Sequence, residues 1–252
     1  MQDSPANQPT ARTCSQSIQS IHPTTGLAVP LHRVAAALET APILSHQSNC
    51  LYNFARRPSP HPQHYDGSGG PLRAQDLEVT FSFTGERDEA MFCLLTLEIE
   101  ATGGPALAEL EAARRLVARL SPTKVQQQGS SSSSGSGSVE KQRQLIFAAH
   151  VWLAAALGRV RGRVDRMRGI MESMPRHVRP AFFYSRIRPY LAGWKGNPTL
   201  PEGVVYEGVV GAEGEADVRL QLSGGSAAQS SIVGAFFSCF CFFGGGKMYL
   251  CI

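Results

Sequence analysis

The sequence carries little excess charge of either sign: 24 Lys and Arg stand against 20 Asp and Glu, a net +4 with the histidines neutral. That balance argues against nucleic acid or a membrane surface as the default partner, because phosphate binding needs a concentrated basic face. A long hydrophobic run is also lacking. The longest, Ile232 to Phe243, is interrupted by Gly234 and Ser238 and stops at 12 residues, well short of the roughly 20 a spanning helix requires. No membrane span is expected. Residues 1–25 are polar throughout and lack the apolar stretch of a secretory signal, so they are expected to form a disordered tail. Six unevenly spaced cysteines make no disulfide framework, and the simpler reading is a reducing, cytoplasmic setting.

What is present suffices for a core, since 42% of residues are hydrophobic. Leu31, Val34, Ala35 and Leu38, then Ile43, Leu44 and Leu51, recur at helical spacing, with Pro42 expected to start a second helix. The Pro/Gly/His stretch 56–71 reads as loop. Leu77 to Phe83 alternates like a short strand, and Asp88-Glu89 suits the first turn of a helix. Residues 104–120 show an amphipathic pattern, with Leu107, Leu110, Ala113, Val117 and Leu120 on one face. A Ser/Gly linker at 126–138 precedes a second long helix from Gln144 to about Met171, with Ile146, Ala149, Trp152, Leu153, Ala156, Val160, Val164 and Met167 inward. The fold class expected is all-α with minor strands. Residues 26–233 are read as one partial helical domain, and 234–252 as an atypical Gly/Cys/Phe tail.

Most chemical motifs are weak. Five arginines, Arg159, Arg161, Arg163, Arg166 and Arg168, are spread round a helix and lack interleaved aromatics, so a solvated face is favoured over a basic interaction module. His61 and His64 have no carboxylate or thiol set to complete a metal site, and Cys239-x-Cys241 has no second pair, so no metal ligand is assigned. Ser226 sits in GGSAAQSS, which is not a nucleophile elbow, and no histidine follows it; a serine hydrolase is excluded. The segment Phe182-Phe183-Tyr184 with Arg188 is more informative. Tyr184 and Arg188 are four apart and share a helical face. An aromatic wall beside an arginine suits a flat-ringed ligand with a carboxylate, and equally suits a core-facing aromatic cluster with a surface arginine.

RPYLAGWKGNPTLPEGVVYEGV (188–209) followed by GGSAAQSS (224–231) closely resembles the signature of the indoleamine 2,3-dioxygenase family, haem enzymes that open the indole ring of tryptophan. LAVPLHRVAAALETAPIL (27–44) resembles the start of that family's large helical domain, and LEVTFSFTGERDEAMFCLLTLEIEA (77–101) a wall of its haem pocket. The resemblance spans about residues 27–233. It implies haem b as cofactor, tryptophan or a related indoleamine and O2 as partners, and N-formylkynurenine as product. It places Phe183, Tyr184 and Phe92 against the substrate ring, Arg188 on its carboxylate, Ser226 as a polar contact, Thr96 near the haem face, and His46 at a position commonly aromatic, with Asn49 and Cys50 one turn on. Gly224, Gly225, Ser226 and Ala227 match the loop lining haem and substrate. No side chain is assigned a catalytic role, since the cofactor performs the hard step. The family's axial histidine lies beyond that loop, whereas the last histidine here is His177. An inactive remnant that binds haem or an indole without turnover is therefore the alternative expectation.

Overall fold

The computed structural model describes residues 23–58, 72–120, 136–226 and 229–236, with side chains from 139 in the third of these segments. The expected tail 1–25 lies outside them except for 23–25, as do most of the 126–138 linker, His61, His64, Ala227, Cys239 and Cys241. Among the described residues the protein is mostly helical, 63% helix against 9% strand. The described residues divide into two compact units, one from 23–43 and 193–224, the other from those of 44–192 and 225–236.

The smaller unit places helix α1 (Thr25–Ala37) against an antiparallel hairpin, β3 (Val204–Val210) and β4 (Ala216–Leu220). The β-branched run VVYEGVV suits a pleated, half-buried strand. Tyr206 pairs with Val218 and is 1% exposed; its hydroxyl donates to the Pro42 carbonyl at 2.7 Å, so the buried phenol is satisfied. Gly208 has φ +73°, and a Cβ there would come 2.6 Å from Thr25 Cγ2, so only glycine lets α1 pack here. The face of α1 that packs is Ala28 and Ala35, while Leu31, Val34 and Leu38 are exposed. Of the four residues at helical spacing, Leu31, Val34, Ala35 and Leu38, only Ala35 is buried. The close approach of hairpin backbone selects the small ones instead. Pro42 starts no helix.

The larger unit is built on two long helices, α2 (Arg87–Leu120) and α3 (Ser136–His177). Ion pairs Glu109–Arg159, Glu98–Arg166 and Asp88–Arg179 run in opposite numerical order along them, so the helices are antiparallel. α2 runs unbroken through Gly103-Gly104-Pro105, where two separate helices had been expected. A Cβ on Gly103 would strike Ile232 at 2.8 Å, so this glycine marks a close approach, not a helix end. Ala106, Leu110 and Val160 form one core cluster; Ala74, Leu77, Leu94, Leu95 and Leu97 form another, joined by Leu51, Phe54, Ile170 and Met174. Ala149 and Ala156 are buried on α3 as expected, but Ile146, Trp152 and Val164 are exposed. Stretch 144–158 is apolar all round, so its periodicity does not single out the packed side. One helix segment, Val139–His177, is long and apolar enough to cross a bilayer, with a mean hydropathy of 1.2 in its most apolar window, although no span had been expected. Its alanine stripe and the Arg159–Glu109 pair nevertheless tie it to α2.

Only Leu77–Glu78 of the alternating stretch forms a strand (β2), paired with β1 (Ala55–Arg56). Side chains then replace the ladder. Asn53 brackets the Phe81 backbone with two bonds of 2.8 Å. Glu89, in the first turn of α2, accepts from the Ser82 and Thr84 hydroxyls and from the Phe83 and Thr84 amides. Burial raises the Glu89 pKa, but these donors outweigh it and hold the carboxyl below its usual range. We predict that Glu89→Ala, which strands four donors, costs about 3 kcal/mol in equilibrium urea unfolding; a loss below 0.5 kcal/mol, roughly the scatter of surface substitutions, would refute this role.

Candidate functional site

Within the larger unit, α2, the turn at 47–51, the end of α3, the segment 180–191 and the loop 225–233 enclose a cavity of about 620 Å³. α2 contributes Phe92, Thr96, Ile99 and Glu100, one helical face at spacings of three and four. The Thr96 hydroxyl donates to the Phe92 carbonyl at 2.7 Å. Phe92 and Phe183 lean together at 5.0 Å between ring centroids and form an aromatic wall.

The segment after Arg179 holds a short helical turn, α4 (Pro180–Phe182), a π-helical turn (Phe183–Ile187) and α5 (Arg188–Leu191). The Arg188 amide donates to the Phe183 carbonyl, an i→i+5 bond. Five residues of α-helix separate side chains by about 140°; the wider π turn returns them to nearly one face. Phe183 and Arg188 therefore both line the cavity. Tyr184 does not. It is 61% exposed, meets Phe183 edge-on at 5.5 Å and lies under the Arg188 guanidinium at 5.4 Å. The shared face of Tyr184 and Arg188 is real, but Tyr184 serves as a support for the two lining residues, not as a wall.

A second π-helical turn, Gln47–Leu51, brings in Asn49 and Cys50, with Ser45 and His46 just before it. The His46 amide donates to Gln229 Oε1 at 2.8 Å, tying this turn to the serine-rich loop. His46 Nε2 is buried without a well-formed hydrogen bond and sits 3.5 Å from Glu100 Oε1. The Ser230 hydroxyl also donates to that oxygen. The Glu100 carboxylate raises the His46 pKa against a lowering by burial. Burial raises the Glu100 pKa, but His46 and Ser230 pull it below its usual range.

Of the residues expected from sequence, His46, Phe92, Thr96, Phe183, Arg188, Gly225 and Ser226 share this cavity. Gly224 falls in the other unit and Tyr184 outside the lining, while Ala227 is outside the described residues. Glu100 and Ser230 were missed. They are 130 residues apart and carry no local pattern. No residue of the GWKGNP motif is in the lining; within the smaller unit the Trp194 and Lys195 amides both donate to the Leu222 carbonyl. Of the five arginines of 159–168, Arg159, Arg161, Arg166 and Arg168 pair with acids. Among the described residues no group of three or more His, Cys, Asp or Glu could hold a metal ion.

His46 should contribute stability fully below its unfolded pKa of 6.5 and lose it as pH rises through its raised folded value; Glu100 contributes above 4.5 and loses it as pH falls. The pair is at full strength between those values. The stability gap between wild type and His46→Phe should therefore narrow from pH 6 to pH 9, read as melting temperature. A gap independent of pH would contradict the ion pair.

The Indoleamine 2,3-dioxygenase family model matches residues 12–240. An indoleamine 2,3-dioxygenase 2 of Mus musculus is 32% identical over 210 residues, covering 83% of this chain and 41% of the relative. An indoleamine 2,3-dioxygenase 1 of Rattus norvegicus is 31% identical over 82% of the chain and 40% of its own length, and a fungal homologue from Penicillium citrinum is 29% identical over 82% and 39%. The chain thus spans about two fifths of the length of these relatives. With the family match covering most of the chain, the protein belongs to the indoleamine 2,3-dioxygenase family.

Proposed function

We propose that the cavity is the substrate side of a haem-dependent dioxygenase site that opens the indole C2–C3 bond of tryptophan, or a related indoleamine, to N-formylkynurenine. The observation that carries this reading is the joining of an arginine to a paired phenylalanine wall in one cavity. Its volume of about 620 Å³ lies in the range of small-molecule sites.

The lining suits one side of a flat prosthetic group. Phe92, Phe183, Ile99, Leu191 and Val233 are apolar, and Gly225-Ser226 approaches with little bulk. The single histidine of the lining, His46, faces Glu100. Haem b, when bound, supplies the iron that activates O2. The residues of this chain position the substrate. Arg188 grips the carboxylate through a bidentate fork. Phe92 and Phe183, packed on each other, present one aromatic wall to the indole ring and exclude water. Thr96 has its hydroxyl hydrogen committed to Phe92, so its lone pairs are what it offers a ring N–H. No general base is needed. A second reading, binding without turnover, rests on the engagement of His46.

Titration with hemin, reduction under CO and a kynurenine assay separate these readings. A sharp Soret band at one equivalent with product supports the dioxygenase, the same band without product supports binding alone, and a broad free-hemin spectrum without product overturns both haem readings. Arg188→Leu should weaken L-tryptophan binding about ten- to a hundredfold in calorimetry and leave indole, which lacks the carboxylate, unchanged. Equal losses for both ligands would remove Arg188 from the carboxylate.

A further inference from the structure

The first turn of α2 places two acids side by side, and each holds one end of the segment that carries Phe183 and Arg188. Asp88 grips its start: the Arg179 amide and Nε both donate to Asp88 Oδ1 at 2.9 Å. Glu89 reaches the other end indirectly. It accepts from the Phe83 amide at 2.8 Å and from the Thr84 amide at 2.7 Å, which fixes the turn bearing the Phe83 ring. That ring lies flat on Tyr190 of α5, with centroids 4.7 Å apart and planes 7° from parallel. On a helix Tyr190 stands about 200° round from Arg188, while Leu191 returns to the Arg188 side. Arg188 and Leu191 accordingly line the cavity, and Tyr190 does not. Both stacked rings are half-exposed. A core contact would bury them; this one joins two surface elements.

We propose that the Phe83–Tyr190 stack is a clamp that sets the Arg188 guanidinium at the cavity, which makes Phe83 and Tyr190 positioning residues for the ligand carboxylate. This deepens the carboxylate reading of Arg188 and rests on it. α5 has four residues, too few to keep a helical shape without tertiary support. Among the described residues no acid pairs with Arg188; its guanidinium lies 5.4 Å from the Tyr184 ring centroid. A guanidinium without a carboxylate partner is set by its backbone and by the ring beneath it, so the placement of α5 becomes the placement of the charge. The bond from the Arg188 amide to the Phe183 carbonyl fixes α5 to the aromatic wall. The stack fixes its outer side to the turn that Glu89 holds. Stacked aromatic rings attract beyond the area they bury, so leucine at either position keeps an apolar side chain and loses the clamp.

Hydrogen exchange tests the clamp without any ligand. In Tyr190→Leu the Arg188 amide, followed by NMR, should exchange about three- to tenfold faster while the α2 amides keep their rates, and Tyr190→Phe should restore the wild-type rate. Calorimetry tests what the clamp does. Tyr190→Leu should weaken L-tryptophan binding about three- to tenfold and leave indole unchanged, again with rescue by Tyr190→Phe. Phe83→Leu should repeat both effects. A merely structural role would weaken both ligands together or neither. Equal exchange in Tyr190→Leu and wild type overturns the clamp. Faster exchange with unaltered L-tryptophan binding, where Arg188→Leu weakens it, overturns the positioning role. If Arg188→Leu itself leaves L-tryptophan binding unchanged, the carboxylate reading falls on its own, and the exchange rates still decide whether the stack holds α5.

Discussion

A buried carboxylate organises the larger unit. Glu100 stands on α2 inside a cavity wall, where an isolated charge would cost several kcal/mol in lost hydration. It stays ionised because His46 and Ser230 converge on one of its oxygens from segments far away in the chain. The turn carrying Asn49 and Cys50 and the loop carrying Ser226 are thus held to the same helix by one acid. The Gln229 side chain on the His46 amide closes this arrangement from the loop side.

The sequence made half of this site legible. Arg188 and Ser226 could be placed because they sit inside motifs specific to a family, and Phe183, Phe92 and Thr96 because the resemblance to that family extends over their segments. Glu100 and Ser230 could not. A carboxylate on an amphipathic helix reads as solvent-facing unless its partners are known, and these partners come from remote segments. Helix faces failed where size misleads. On α1 the leucines are exposed and Ala28 and Ala35 are buried, because backbone approach, not side-chain volume, decides that contact. On α3 the apolar residues run all round, so no period marks the packed side.

Motif specificity and chemical importance also diverge. GWKGNP distinguishes the family well, yet its role here is to fix a turn. A Cβ on Gly193 would lie 2.3 Å from the Leu222 carbonyl, and Trp194 and Lys195 bond that same carbonyl. The adjoining Arg188 carries the ligand-facing charge. A motif this long can therefore identify ancestry through its turn while the chemistry rests on residues at its edge.

Two of the segments that supply side chains to the wall contain a π-helical turn, at 47–51 and 183–187. Such turns weaken a helix locally and persist where their geometry is used. The use is plainest in the second, where Phe183 and Arg188 are five apart and both line the cavity. An α-helix would turn one of them away by about 140°. The wider turn is what lets a single short segment present an aromatic ring and a guanidinium together, and α-helical spacing, which pairs Arg188 with Tyr184, does not reveal it.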